Sequence, residues 1–462
     1  MTALADNLDA VLAHLDADQE AAQARLFELL KLESISTDSA YKDECRKAAE
    51  WLCADLASIG FDVSVRDTTG HPMVVGHSSD EGPHLLFYGH YDVQPVDPLA
   101  LWSAPPFEPV IADGPQGPEI RARGAADDKG QLMTFVEACR AWKAVTGKLP
   151  ARVTIFFEGE EESGSPSLIP FMEDNAEELK AEIAMICDTG MWDADTPAIS
   201  TMLRGGLSEM VTIKAASRDL HSGMYGGPAM NPIRVLSKIC ASFHDDEGRV
   251  TLPGFYDGCP VLTEDVKAQW DALNFDPKDF LGEVGLSEPA GEPEYSALEQ
   301  IWSRPTLEFT GISGGYTGEG FKTVLPAEAF CKISCRLVGD QDPDAIRAAM
   351  RARVEEMLPA DCTAEYHSFG ASAAIVLPTD APAFEKARQA LSDEWPNEAA
   401  FAGCGGSIPI AGHFKTILDM DALMIGFGLN DDRIHSPNEK YSLTSFQKGA
   451  RSWARVLAAL GA

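Results

Sequence analysis

Two histidines and a scatter of carboxylates, each placed where an apolar run stops, are the residues of this sequence that could do chemistry. Leu85-Leu86-Phe87-Tyr88 reads as a buried strand, and Gly89 lets the chain present His90 at the strand's carboxyl end. Side chains alternate along a strand, so His90 and Asp92 point the same way. A metal-bound imidazole usually donates its second N–H to a carboxylate, so His90 reads as a metal ligand and Asp92 as the group that orients it. Taken alone, the pair is more often a histidine that merely caps a strand.

The rest of the chain shifts that balance. Ala151 to Phe157 is a β-branched and aromatic strand that runs into Glu158-Gly159-Glu160-Glu161-Glu162, four carboxylates that repel one another unless a cation or the solvent screens them. Ile183 to Cys187 is a third such strand and ends in Asp188. Asp127 and Asp128 precede a helix from about Gln131 to Val145, where the helix dipole alone would favour a carboxylate. His435 follows the last strand, Ala422 to Gly426. In a doubly wound sheet these ends share one rim, so residues far apart in sequence can meet. Two imidazoles with at least three carboxylates suit zinc, manganese or cobalt. One carboxylate shared by two ions about 3.5 Å apart would make a two-metal hydrolase.

The elements that must position these groups point to two domains, a natural division for 462 residues. Residues 1–204 with 378–462 read as an α/β domain with a doubly wound mixed sheet. It opens with an acidic helix over 1–31 and a second over Glu44 to Ile59, and a proline-rich loop covers Asp97 to Ile111. Residues 205–377 read as an inserted α+β domain. Its strands are Leu207 to Ala215, Leu307 to Thr310, Ala329 to Val338 and Thr363 to Phe369, its helices Pro232 to Phe243 and Asp344 to Leu358. Asp257 to Gln300 is poorly periodic.

Composition sets limits on partners. A formal net charge of −35 without a basic stripe repels nucleic acid and anionic membrane, and no apolar run approaches membrane-spanning length. The amino terminus lacks a basic segment before an apolar one, so the cytoplasm is expected. The 10 cysteines contain no CxxC pair, which argues against a thiolate zinc site or a disulfide framework.

Four motifs carry a family resemblance: Gly89-His90-Tyr91-Asp92-Val93-Gln94-Pro95, Arg123-Gly124-Ala125-Ala126-Asp127-Asp128-Lys129-Gly130, Glu161-Glu162-Ser163-Gly164-Ser165 and His435-Ser436-Pro437-Asn438-Glu439. In this order they resemble the dinuclear zinc exopeptidases, which include aminoacylase, succinyl-diaminopimelate desuccinylase, carboxypeptidase G and the carnosine-type dipeptidases. Arg218-Asp219-Leu220-His221-Ser222-Gly223, Thr323-Val324-Leu325-Pro326 and Gly405-Gly406-Ser407-Ile408-Pro409 make the carnosine-type branch the nearest. The resemblance implies that Asp127 bridges two metal ions, with His90 and Asp188 completing one site and Glu162 and His435 the other. It implies Glu161 as general base and a cis peptide between Asp127 and Asp128. His221 would donate to the oxyanion from a partner subunit, making the inserted domain a lid and dimerisation domain and the catalytic unit a homodimer. Arg336 would pair with the substrate carboxylate, and Thr323 and Ser407 would position the scissile region.

The expected function is therefore hydrolysis of dipeptides, or similar small amides with a free carboxylate, with two divalent ions, zinc first and manganese or cobalt as alternatives. The same site acting on N-acyl or N-carbamoyl amino acids is the nearest rival, and a non-catalytic binding protein on this scaffold is a more distant one. Gly311-Ile312-Ser313-Gly314-Gly315 matches the G-x-S-x-G pattern of serine hydrolases, but no amphipathic helix follows it to form a nucleophile elbow. Cys404 has no local base and reads as a packed thiol.

Overall fold

The computed structural model describes residues 2–406 and 409–462. The chain divides into two compact units, Met1–Thr201 with Leu377–Ala402 and Ile410–Ala462, and Met202–Val376 with Gly403–Pro409.

The first unit is built on a large mixed sheet. Strands Arg152–Glu158, His84–His90, Ile183–Ile186 and Ala422–Ile425 lie side by side in that order and run parallel. They are buried almost throughout, which is why they appear in the sequence as unbroken apolar runs and not as alternating ones. Met73–His77 and then Asp62–Arg66 extend the sheet antiparallel on one side, and Ala198–Leu203 runs antiparallel to Ala422–Ile425 on the other. Because the four central strands share a direction, their carboxyl ends share a rim.

Helices Lys129–Thr146 and Leu443–Leu460 pack together against this sheet. Phe135 stacks on Phe87 with ring centroids 3.8 Å apart, and Trp453 meets both edge-on at 5.4 Å. Truncating one such ring to alanine costs about 3–5 kcal/mol. The aromatic cluster thus holds the helix that begins just beyond Asp127 against the strand that ends in His90. That helix stops at Gly147, whose φ of +74° is the left-handed conformation that glycine adopts without strain.

The second unit holds an antiparallel sheet ordered Thr306–Gly314, Glu328–Leu337, Gly205–Lys214, Thr363–Ser372. Helices Pro232–Ala241 and Pro343–Met357 cover it through a core that includes Leu207, Val211, Leu236, Ile239, Ile333 and Met350.

Several elements depart from the sequence expectation. The first helix is two, Thr2–Ala17 and Gln19–Leu30, separated at Asp18, whose carboxylate is 2.6 Å from Arg25. The expected loop to Ile111 contains the start of a strand, Val110–Gly114, which forms a hairpin with Gly117–Arg121; Lys440–Ser442 completes a three-stranded sheet. Pro118 disguises the middle strand, and is tolerated because it pairs only with Asp113, beyond the stretch bonded to Lys440–Ser442. Ala198–Leu203 and Ala400–Cys404 are further strands that the sequence did not reveal. The poorly periodic region folds as short helices Glu264–Ala272, Pro277–Gly282 and Ala297–Trp302.

Candidate metal centre

The sequence places acidic or imidazole groups at strand ends, and the parallel strands gather them. His90 is the last residue of its strand and fully buried. Its Nε2 lies 3.0 Å from Asp127 Oδ1 and 3.9 Å from Asp188 Oδ2. On the other side of Asp127, Oδ2 is 2.9 Å from His435 Nε2, which is itself 3.2 Å from Glu162 Oε2. Two sets result, His90 with Asp127 and Asp188, and Asp127 with Glu162 and His435, and within each set the ligand atoms lie within 4.8 Å of one another. Asp127 belongs to both.

The surrounding hydrogen bonds hold these groups in place. His90 Nδ1 is 3.2 Å from the Asp92 carbonyl and 3.4 Å from its Oδ1, so donation from Nδ1 leaves Nε2 free as an acceptor. The Asp92 carboxylate is mainly occupied elsewhere, accepting the backbone N–H of Glu161 at 3.3 Å and of Glu162 at 3.0 Å. It therefore fixes the glutamate turn as well as standing beside the imidazole. Gln94 Nε2 donates to Glu162 Oε2 at 2.7 Å, and Asp128 Oδ2 accepts the N–H of His90 at 3.1 Å. The peptide between Asp127 and Asp128 is cis. Glu160 stands apart: its carboxylate accepts the backbone N–H of His71 at 2.8 Å and of Ser167 at 2.9 Å.

The electrostatics show what the cluster is suited to hold. Burial, reinforced by Asp127, pushes Asp188 up to about 7. Burial also raises Glu161, opposed by the nearby His90 and assisted by Glu162 and Asp92. Hydrogen bonds to Asp127 and Glu162 push His435 up to about 10. For His90, burial works against charge, but the Asp127 and Asp92 carboxylates beside it prevail and raise it well above the ordinary range. Buried carboxylates this close are stable only around positive charge. His90 Nε2 is moreover a buried polar atom without a hydrogen-bond partner. Oxygen-rich sets with one imidazole each fit two divalent cations, and the residues present suit zinc, manganese or cobalt.

A cleft of about 450 Å³ adjoins Asp188, lined by Gln131, Thr189, Gly190, Gly428, Leu429, Asn430, Arg433 and Ile434.

The remaining candidates belong to the second unit. His221 is exposed at the end of the short pair Leu220–His221 with Val324–Leu325, and its Nδ1 accepts the N–H of Gly223 at 3.0 Å. That leaves Nε2 as its donor. Thr323 adjoins it, its carbonyl accepting the N–H of Ser222 at 3.1 Å. Arg336 is exposed on Glu328–Leu337, lining a shallow cleft with Gly206, Ser208, Ser334 and Ser372. Ser407 lies outside the described residues. Ser313 sits within strand Thr306–Gly314, and no helix follows directly, so the elbow that a serine nucleophile needs is not formed.

Three supporting residues had no role assigned from sequence, although each stood inside a quoted motif: Gln94, Asp128 and Glu439. Glu439 is fully buried and accepts the N–H groups of Gly124, Ala126 and Asp127 and a bond from Arg123. Its only sequence signal was a carboxylate four residues after a candidate ligand.

Known proteins resemble the chain along nearly its whole length. The Cys-Gly metallodipeptidase of Schizosaccharomyces pombe is 27% identical over 462 residues, covering 96% of each chain. The crystal structure of human carnosine dipeptidase 1 superposes with a TM-score of 0.78 at 26% identity over 98% of both chains. The metallo-carboxypeptidase Sso-CP2 of Sulfolobus solfataricus does so with 0.79 at 28% identity, over 95% of this chain and 99% of that one. Residues 86–459, which carry all the candidate ligands, match the description of Peptidase family M20/M25/M40, and the chain belongs to that family.

Proposed function

We propose that this protein is a metal-dependent dipeptidase whose reaction centre is the pair of ligand sets joined at Asp127. The observation that carries the reading is the shared carboxylate itself, flanked by one histidine and one further acid on each side, with Glu161 beside it. His90, Asp127 and Asp188 would hold one divalent ion and Asp127, Glu162 and His435 the other, zinc first among the candidates. Bound there, the ions supply a Lewis acid for the scissile carbonyl and ease deprotonation of the attacking water.

The side chains do the rest. Glu161 takes the proton from the attacking water and returns it to the leaving amine. Burial has already raised its proton affinity, which suits a group that must both accept and release a proton. Asp92 serves this step indirectly, because its carboxylate fixes the backbone that carries Glu161 and Glu162. His221, donating through Nε2, would stabilise the oxyanion from a partner subunit, which makes the second unit a lid and dimerisation domain and the enzyme a homodimer. Arg336 makes no ion pair among the described residues, and would bind the terminal carboxylate of the dipeptide; Thr323 and Ser407 would position the amide. The relatives support the substrate class, being named for Cys-Gly and carnosine dipeptidase activities. We assign the enzyme to the cytoplasm with a small peptide as its substrate; no described helix is long and apolar enough to cross a membrane.

The test is amine release from a panel of dipeptides beside N-acetyl, N-succinyl and N-carbamoyl amino acids, with zinc- or manganese-reconstituted and chelated protein. Metal-dependent cleavage confined to dipeptides is expected. Cleavage of only the acylated compounds would move the protein to the deacylases, and silence across the panel with ions bound would leave a binding protein.

A further inference from the structure

The cleft beside Asp188 carries a charge that the mechanism above does not use. Among its lining residues the charged groups are Asp188, which faces the metal centre, and Arg433. The Arg433 side chain is exposed, and its guanidinium makes no hydrogen bond or ion pair among the described residues; only its backbone carbonyl is engaged, accepting the N–H of Ser436 at 2.9 Å. The neighbouring acids in sequence do not neutralise it. Asp431 and Asp432 are both held by Lys440, whose Nζ lies 2.8 Å from one and 2.7 Å from the other, and Asp432 also accepts the N–H of Leu429 at 2.7 Å. In a chain of net charge −35, an unpaired guanidinium on the wall of a cleft beside the reaction centre is a specific feature.

Two further observations accord with this. Arg433 has a φ of +57°, a left-handed conformation that is uncommon for residues other than glycine, asparagine and aspartate, yet the sequence keeps a long cationic side chain there. Asn430, exposed on the same wall, adds an amide that can donate beside the guanidinium. A volume of about 450 Å³ is enough for an amino-acid side chain with its carboxylate.

We propose that Arg433 makes this cleft a subsite for a substrate carboxylate other than the terminal one, so that the enzyme favours dipeptides bearing an aspartyl or glutamyl side chain. This rests on the dipeptidase reading and narrows its substrate class. The carboxylate pairs with the Arg433 fork, assisted by Asn430, while the amide to be cleaved lies at the metal centre.

The experiment compares isosteric substrates that differ by one charge, Asp-Ala with Asn-Ala, Glu-Ala with Gln-Ala, and Ala-Asp with Ala-Asn. In metal-loaded wild type, kcat/KM should favour the acid over its amide by about 10- to 100-fold in at least one position, the range for a hydrogen-bonded charge. Arg433→Gln should bring that ratio to about one, and Arg433→Lys should keep part of it. Because the ratio is taken within each variant, a general loss of folded protein cancels. No preference in wild type, or one that survives Arg433→Gln, would overturn the proposal. The second readout is calorimetric titration of zinc-loaded Glu161→Gln protein with the same pairs, with and without Arg433→Gln. If no dipeptide is cleaved, the dipeptidase reading fails; tighter binding of the acid that depends on Arg433 would still establish the subsite, and equal binding of acid and amide would sink it as well.

Discussion

The carboxylate of Glu439 accepts the backbone N–H of Asp127 at 3.1 Å, tying a residue four positions after His435 to the shared carboxylate of the candidate centre. The same carboxylate takes the N–H groups of Gly124 and Ala126, both at 2.9 Å, and an Arg123 bond at 2.7 Å. One buried side chain thus sets the relative positions of two candidate ligands that are 308 residues apart (435 − 127).

Glu439→Gln keeps the shape but removes a charge and one acceptor oxygen. We expect a loss of about 10- to 100-fold in metal affinity, the usual effect of removing a group that orients ligands. Competition with a coloured chelator measures it. Unchanged affinity would show that the loop holds Asp127 without Glu439.

Glu161→Gln should lower kcat by about 10²- to 10⁴-fold, since it removes the group that moves the proton. Metal content, determined by elemental analysis, should match wild type, because Glu161 lies outside both ligand sets. A variant that loses its ions would instead make Glu161 a ligand.

Chelation should abolish turnover and added zinc restore it, whereas Ser313→Ala should leave turnover within about twofold of wild type, Ser313 being an ordinary residue of an exposed strand. Activity that survives chelation and dies with Ser313→Ala would bring back the serine nucleophile.

Away from the centre, Glu178 accepts two bonds from Arg66, at 2.6 and 2.7 Å, and lies 2.8 Å from His77 Nε2. The Arg66 bonds, helped by His77, hold its carboxyl down at about 2 against its ordinary value of 4.5. A depressed carboxyl stabilises the fold above its unfolded value, and the gain is lost as pH falls from about 4.5 toward 2. Solvent reaches the pair, so Glu178→Gln should cost about 1 kcal/mol at pH 7, with the gap to wild type shrinking below pH 4.5. Urea midpoints at pH 7, 5 and 3.5 would show this, and a gap constant across them would refute it.

Much of this was legible in the sequence because burial writes itself plainly. The strands ending in His90, Glu158 and Ile186 are covered on both faces, so they appear as unbroken apolar runs with an abrupt polar stop. Gly117–Arg121 could not be read that way: it has only two buried residues and a proline, and its partners lie on opposite sides of the chain's midpoint. Roles for Gln94, Asp128 and Glu439 stayed hidden for a related reason. Each acts by holding a backbone or side-chain group that only the folded chain brings within reach.

The order of strands in the sheet constrains how the protein is made. Ala422–Ile425 lies between Ile183–Ile186 and Ala198–Leu203, so a strand synthesised late fills a gap between two synthesised early. A ribosome-bound chain that has not reached residue 422 presents an interrupted sheet with two unsatisfied strand edges, the kind of surface that pairs with other chains. Nascent chains stalled before that point should be cut readily by protease around residues 183–203, and full-length chains should resist. For this protein, closure of the central sheet has to wait until the second unit has been translated.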